Sequence, residues 1–490
     1  MSQKRASELG ATTPVSFSGF CAPQARKYVL VAAILASALG FIDGTVVAIA
    51  MPAIRETLGA TLPQAQWVHN AYMLTLSSLI LVGGAAGDRF GLARMFSLGI
   101  AAFVVASLLC AIAPNATFLI IMRAIQGIGA AIMVPGSMAI IARAYPEEER
   151  GRAIGIWAAA SALTTALGPI IGGLALSMGG PDMWRWIFAV NLPLGGLALY
   201  LLTTRVEADP ARPDTPIDYT GAILIIAALM ALAWGLTSLQ HGETGQIAVW
   251  LGGGIVLLIA FLAIEARTSH PMMPLDLFAV RNFWVVNLMC FTLYGALNIV
   301  LFFLPMTLIA GWRINELGAA AAFAPLTIFI SVLSARMGAL ADKLGPRPLL
   351  TVGSLIVALG YAFMAIVAPD QEFLTGILPA MCIVGLGMAM VVAPFSTAVM
   401  AAVDQSQAGT ASGVNNAVTR LAGLIWVAAV GGLATQVYVN AGGAAAFGVA
   451  SDTANHADAT TAAFVALAWV ATALCAMSAA LALLVAPKRR

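Results

Sequence analysis

The chain has 490 residues, of which 61% are hydrophobic and 9% charged, and its mean hydropathy is +0.93. Soluble proteins carry about 25% charged residues, so a water-exposed globular fold is excluded. A net charge of +2 without any basic stripe excludes a nucleic-acid partner. Runs of about 20 apolar residues recur along nearly the whole length, as membrane-spanning helices require.

Fourteen spans are predicted, near 28–50, 66–87, 94–114, 117–141, 151–178, 185–204, 219–239, 246–266, 283–311, 318–341, 348–368, 373–402, 409–436 and 460–486. Backbone facing lipid must satisfy its own hydrogen bonds, so these are helices. Of the 24 Lys and Arg, Arg55, Arg185 and Arg313 alone fall in outer loops, and Arg123, Arg336 and Arg420 fall within spans. The remaining eighteen lie on the other side, which makes that side, and both termini, cytoplasmic. Trp67, Trp184, Trp186, Trp250 and Trp312 fall near the outer boundaries, where an aromatic belt is expected. The polar first 27 residues lack the pattern of a cleaved signal peptide. The five cysteines have no disulfide or metal spacing.

The chain repeats itself. Gly84-Ala-Ala-Gly-Asp88-Arg89-Phe-Gly91 recurs as Gly338-Ala-Leu-Ala-Asp342-Lys343-Leu-Gly345, each where a helix exits to the cytoplasm. Pro135 precedes Gly151 and Gly155 much as Pro394 precedes Gly409 and Gly413. Two homologous halves imply a pseudo-symmetric transporter with its site at their interface. The expected fold is an all-α polytopic membrane protein of two six-helix bundles and two inserted helices. Its parts are a cytoplasmic tail at 1–27, a first bundle at 28–204 and a Pro-rich linker at 205–218. The inserted helices at 219–266, a cytoplasmic linker at 267–282, a second bundle at 283–487 and a tail at 488–490 follow. The Ala/Gly/Ser/Asp-rich outer loop at 437–459 reads as mobile.

Asp43 is the first candidate functional residue. It sits in the apolar segment Leu39-Gly-Phe-Ile-Asp43, and a charge near mid-membrane costs about 2.5–3.5 kcal/mol on the mildest scale. Arg123 is likewise intramembrane and needs a partner. At about 1.5 Å per residue, Asp43 lies about 12 Å and Arg123 about 9 Å below the outer ends of their helices. They therefore form either a proton-dependent couple, directly or through water or Gln126, or a static pair that fixes helix packing. At the turn 84–94, Gly84 and Gly91 permit a tight turn, Asp88 and Arg89 can cap helix ends and pair across the bundle interface, and Arg94 belongs to the same gating turn. Gly155, Gly168, Pro169, Gly172 and Gly173 make a bendable, closely packed seam. Arg420, after Asn415 and Asn416, is a second buried cation without an obvious acid; it faces an aqueous cavity or bonds to carbonyls. His69, near the outer end of the second helix, is either a proton shuttle or a satisfied interfacial histidine. No phosphate-binding loop, catalytic triad or metal cluster is present in the sequence, so no enzyme activity, metal or organic cofactor is expected.

These residues resemble the fourteen-helix drug:proton antiporter branch of the major facilitator superfamily. Leu39-x3-Asp43-x-Thr45-Val46-Val47-x-x-Ala50-x-Pro52 is similar to its first-helix signature, and residues 84–94 to the superfamily turn. Arg123 with Gln126 and Gly127 is similar to the fourth-helix motif. Gly168-Pro169 with Gly172 and Gly173 resembles the fifth-helix antiporter motif, and Trp184-Arg-Trp-Ile-Phe with Asn191 and Pro193 adds a further match. Leu92 and Ala93 depart from the usual basic residues, Thr164 and Val427 from usual glycines. The resemblance implies a bacterial inner-membrane exporter of amphipathic, often cationic drugs or antibiotics, with the proton as coupling ion exchanged at Asp43. It favours a monomer, and some relatives engage a periplasmic adaptor and outer-membrane channel. A proton-coupled nutrient importer on the same fold is the alternative, and a non-transporting membrane sensor a third.

Overall fold

The computed structural model describes residues 24–206, 217–238, 244–269, 271–400, 402–403 and 407–486. Most of the expected N-terminal tail, the core of the 205–218 linker and the 488–490 tail lie outside these residues. Among the described residues there is no strand.

The first half contains α1 (Arg26–Leu58), α2 (Leu62–Phe90), α3 (Leu92–Ala111), α4 (Ala116–Ala144), α5 (Glu147–Gly179), α6 (Trp184–Ala189) and α7 (Asn191–Arg205). The inserted pair is α8 (Tyr219–Ser238) and α9 (Thr244–Glu265). The second half contains α10 (Arg281–Met306), α11 (Glu316–Ala321), α12 (Ala324–Leu344), α13 (Pro346–Val367), α14 (Leu378–Met400), α15 (Ala408–Asn440) and α16 (His456–Ala482). A helix thus lies at each expected place. Among the described residues thirteen helical segments are long and apolar enough to cross a membrane; by that measure α5 contributes the shorter apolar stretch Leu167–Gly179.

Local chemistry sets the helix ends at the Lys/Arg-poor face. Gly59 takes the left-handed conformation (φ 60°) that ends α1, its N–H bonding to the Arg55 carbonyl. Thr61 and Gln64 then form a reciprocal capping box that starts α2. Asn115 caps α4 through the Phe118 N–H at 2.9 Å, and Asn315 caps α11 through the Gly318 N–H at 2.7 Å. Arg185 donates to the Ala111 and Ala113 carbonyls at 3.0 and 2.8 Å, closing the end of α3.

Packing follows the small residues. In the first half α4 lies against α2 and α3, and α1 against α5 and α7. A Cβ on Gly129 would stand 2.6 Å from the Phe103 backbone nitrogen, so α3 and α4 meet backbone to backbone. The antiporter-motif glycines do the same for α5. A Cβ on Gly168 would meet Thr45 Oγ1 at 2.7 Å, and one on Gly172 would collide with the Val46 side chain. A Cβ on Gly173 would stand 2.7 Å from the Glu316 carbonyl oxygen and 2.9 Å from Ala320. One face of α5 therefore seats α1, and its far end seats α11 of the other half. Gly155, by contrast, opens onto free space.

The halves also join along α2 and α15, where Gln66 Nε2 donates to the Val427 carbonyl at 2.5 Å. At the Lys/Arg-poor end Arg55 of α1 bonds to the Phe447 carbonyl, beyond α15. This corrects the expectation of a mobile loop at 437–459. There α15 runs on to Asn440, and Phe447, 2% exposed, packs against Phe303 and Tyr438. Tyr438 and Ala310 hold His456 at 2.7 and 3.1 Å. A small-residue composition reads as mobile, but one aromatic anchor outweighs it.

Two further expectations change. Trp184 is not an interfacial anchor: it is fully buried, with Nε1 donating to Thr57 Oγ1 at 2.8 Å. Asp88 pairs with Arg143 of α4 at 2.5 Å, inside the first half and not across the bundle interface. Gly91 (φ 95°) and Gly345 (φ 84°) adopt backbone that side chains disfavour, which explains both glycines of the repeated turn. Arg89 lies over the Phe90 ring, and Arg94, Asp342 and Lys343 are exposed.

The α5 seam supplies a prediction. Gly173→Val should destabilise the protein by about 1–3 kcal/mol, because a backbone carbonyl cannot step aside. Gly155→Ala should leave thermal unfolding of the purified protein unchanged. Equal melting temperatures for Gly173→Val and wild type would refute the close approach.

Candidate functional site

Three polar side chains meet inside the first half. Asp43 comes from the middle of α1, Arg123 and Gln126 from adjoining turns of α4. Asp43 and Arg123 are 1% exposed and Gln126 is fully buried. Arg123 Nη1 donates to Asp43 Oδ2 at 2.5 Å and to Gln126 Oε1 at 2.7 Å. Gln126 Nε2 donates to Asp43 Oδ1 at 3.0 Å, which closes a triangle. Each carboxylate oxygen thus has a different donor. The helical spacing i, i+3 puts Arg123 and Gln126 on one face of α4, so both reach the same carboxylate.

A second layer holds the triangle. Arg123 Nε donates to the Val68 carbonyl at 3.0 Å, and the Tyr72 ring covers the guanidinium, 4.3 Å from its centroid. The Phe188 ring lies at 5.7 Å. Ser107 Oγ accepts from Gln126 Nε2 at 3.3 Å and from Asn191 Nδ2 at 2.8 Å, and donates to the Phe188 carbonyl at 2.9 Å. A buried ion pair survives only when its remaining donors and acceptors are satisfied, and here the support comes from α2, α3, α6 and α7.

The expected partnership of Asp43, Arg123 and Gln126 is thus present. Ser107 and Tyr72 had no part in that expectation. Ser107 carries a signal, a hydroxyl deep in the apolar run of α3; Tyr72 carries none, because an aromatic there reads as core.

The other candidates lie apart. His69 is 7% exposed; its ring packs on Phe302 and its Nε2 has no partner. No hydrogen bond links it to the triangle. Asn415 donates to Asn287 Oδ1 at 3.1 Å and to Cys290 Sγ at 3.2 Å, tying α15 to α10. Asn416 is exposed and bonds only to its own helix, at Ser412. Arg420 is half-buried, and its Nε has no partner. Among the described residues neither an acid nor a carbonyl takes it, so the carbonyl-bonded reading falls away. It lies within electrostatic range of Tyr72 across the α2–α15 seam.

The sequence profile of the Major Facilitator Superfamily matches residues 33–427. The chain belongs to that superfamily. The puromycin resistance protein pur8 of Streptomyces alboniger is 32% identical over 437 residues, 87% of this chain and 85% of that protein. The multidrug resistance protein Stp of Mycobacterium tuberculosis is 31% identical over 81% of this chain and 74% of its own length. Among solved structures, a bacterial homologue of the human lysosomal transporter Spinster, in an inward-facing and unoccupied conformation, superimposes with a TM-score of 0.68. It is 19% identical and covers 94% of this chain and 98% of its own, which shows the shared fold. The relatives accord with the drug:proton antiporter branch that the motifs resemble. The protein is a transporter and not an enzyme, a multi-pass protein of the bacterial plasma membrane.

The triangle yields a prediction about Gln126. Gln126→Leu removes the donor to Asp43 Oδ1 and an acceptor of Arg123, and should cost about 1–3 kcal/mol of stability. Thermal unfolding in detergent should show it as a lowered melting temperature. Asn416→Ala, remote from the triangle, should not change it; equal losses in both would separate Gln126 from any special role.

Proposed function

We propose that this protein is a proton-driven exporter of amphipathic compounds that works by alternating access, with Asp43 as the coupling carboxyl. The observation that carries this reading is the fully buried Asp43–Arg123–Gln126 triangle. Ionisable groups deep in membrane proteins are costly and mark proton or substrate pathways, and the relatives named above are resistance proteins.

The geometry supports a specific cycle. Charged Asp43 holds Arg123 in the triangle. A proton on Asp43 removes the ionic attraction, while Gln126 Oε1 and the Val68 carbonyl still accept from Arg123. The guanidinium is then not stranded, which is the usual penalty for breaking a buried pair. Movement at Asp43 has a route to the seam between the halves. Gly168 seats against Thr45, two residues from Asp43, and Gly173 seats against α11. A shift of α1 would therefore press on α5, and α5 on the second half.

For cargo, half-buried Phe291, Trp426 and Tyr294, the last packed on buried Phe395, offer polarisable apolar surface. Arg420 offers an unpaired donor on the same half. A loose surface of this kind suits amphipathic molecules of varied shape, and a cationic cargo would compete with the proton at Asp43.

The test is proton movement in reconstituted vesicles with a panel of amphipathic dyes. Wild type should move protons against dye, and Asp43→Asn should abolish coupling. Dye-driven proton movement that persists in Asp43→Asn would remove the carboxyl from the mechanism. Dye moving with the proton, in the same direction, would reverse the export reading.

A further inference from the structure

The inserted hairpin holds two carboxyls that the triangle does not use. Asp218 immediately precedes α8, and Glu265 ends α9, so the antiparallel hairpin brings them together at its Lys/Arg-rich end. Glu265 is 2% exposed. Its Oε2 accepts from the Met273 N–H at 3.0 Å. Asp218 Oδ1 accepts from the Gly221 N–H at 2.8 Å, in the first turn of α8.

The remaining oxygens, Asp218 Oδ2 and Glu265 Oε1, are both buried and have no donor. They crowd one small space. A Cβ on Gly221 would stand 2.6 Å from Glu265 Oε1 and would collide with Asp218 Oδ2. The two side chains are within hydrogen-bonding reach of each other. Facing them are the Gly221 N–H from α8 and the Met272 and Met273 N–H groups from the connection to α10. Among the described residues neither carboxyl forms an ion pair with Lys, Arg or His.

Two ionised carboxylates so placed would repel each other at close range with little water to screen them. One proton between the two free oxygens turns that repulsion into a short O–H···O bond. We propose that Asp218 and Glu265 share a single proton, forming a second protonation site on the inserted hairpin, separate from Asp43.

The shared proton fastens the start of α8 to the end of α9. Through the Met273 N–H it also fastens the connection to α10. Met272 and Met273 line a crevice of about 370 Å³ between the hairpin and the α2–α15 seam, together with Ser78, Phe261 and Leu421. Losing the proton leaves two like charges beside the connection whose methionines line that crevice, and loosens the hairpin from the seam.

Infrared difference spectroscopy of the full-length protein in lipid nanodiscs tests this, because its readout is independent of transport. Wild type at neutral pH should show one protonated-carboxyl band that disappears in both Asp218→Asn and Glu265→Gln and persists in Asp43→Asn. A band that survives in either amide variant would overturn the proposal. The melting temperature gives a second reading. It should fall in wild type as rising pH removes the band. It should not fall in Glu265→Gln, whose amide donates to Asp218 as the proton does. A wild type without the band that is stabilised by added sodium would mean that a cation occupies the gap, and would also overturn the proposal.

Discussion

The buried ion pair between Asp43 and Arg123 is the interaction on which the first half depends. Taking a carboxylate and a guanidinium out of water costs several kcal/mol per ion, and their attraction offsets it only if every other donor and acceptor is occupied. The structure meets that condition with one amide from α4 and with one main-chain carbonyl and one aromatic face from α2. Those helices must hold position to within a few tenths of an ångström. This demand explains why α3 and α4 touch through glycines and why Ser107 and Asn191 lie buried behind Gln126. Replacing a buried ion pair by apolar residues of similar volume is often neutral or stabilising, so stability alone does not account for this pair.

Much of this was legible in the sequence, for identifiable reasons. Helices show in a membrane chain because apolar runs of the right length have few other meanings. Asp43 and Arg123 stood out as charges where charge is expensive, and equal depth paired them. Gln126 was named there as a possible bridge between the two. What escaped were partners whose chemistry is ordinary. Tyr72 looks like any core aromatic, and its role appears only when a guanidinium lies on its face. Arg143 looked like one of many cytoplasmic basic residues, so Asp88 was expected to find its partner across the halves and found it at home. The 437–459 connection read as loose from its small residues, while Phe447, a single residue, decides its packing.

The two halves use their glycines differently. Gly91 and Gly345 serve backbone conformation at the repeated turn. Gly168, Gly172 and Gly173 serve proximity, bringing α5 against α1 on one side and α11 on the other. The same residue type therefore carries a turn in one motif and a mechanical linkage in the other. The inserted hairpin takes no part in either. Outward-facing Val249, Val256 and Ile259 make α9 a lipid-facing wall, and α8 packs against α2 and α15.

That arrangement leaves the long α2–α15 contact with unequal flanks. On one flank lie the packed helices of the two halves; on the other lies the crevice beneath the hairpin, walled by leucine, isoleucine, methionine and phenylalanine. Close-packed protein interiors have low compressibility and transmit strain, so two helices gripped on both sides would jam when tilted against each other. A crevice on one flank is clearance in the sense that a bearing has clearance. Unbranched methionine and rotatable leucine side chains can fill it differently at each angle. On the alternating access proposed above, the extra helices, remote from the charged triangle, would set how much play the joint between the halves is allowed.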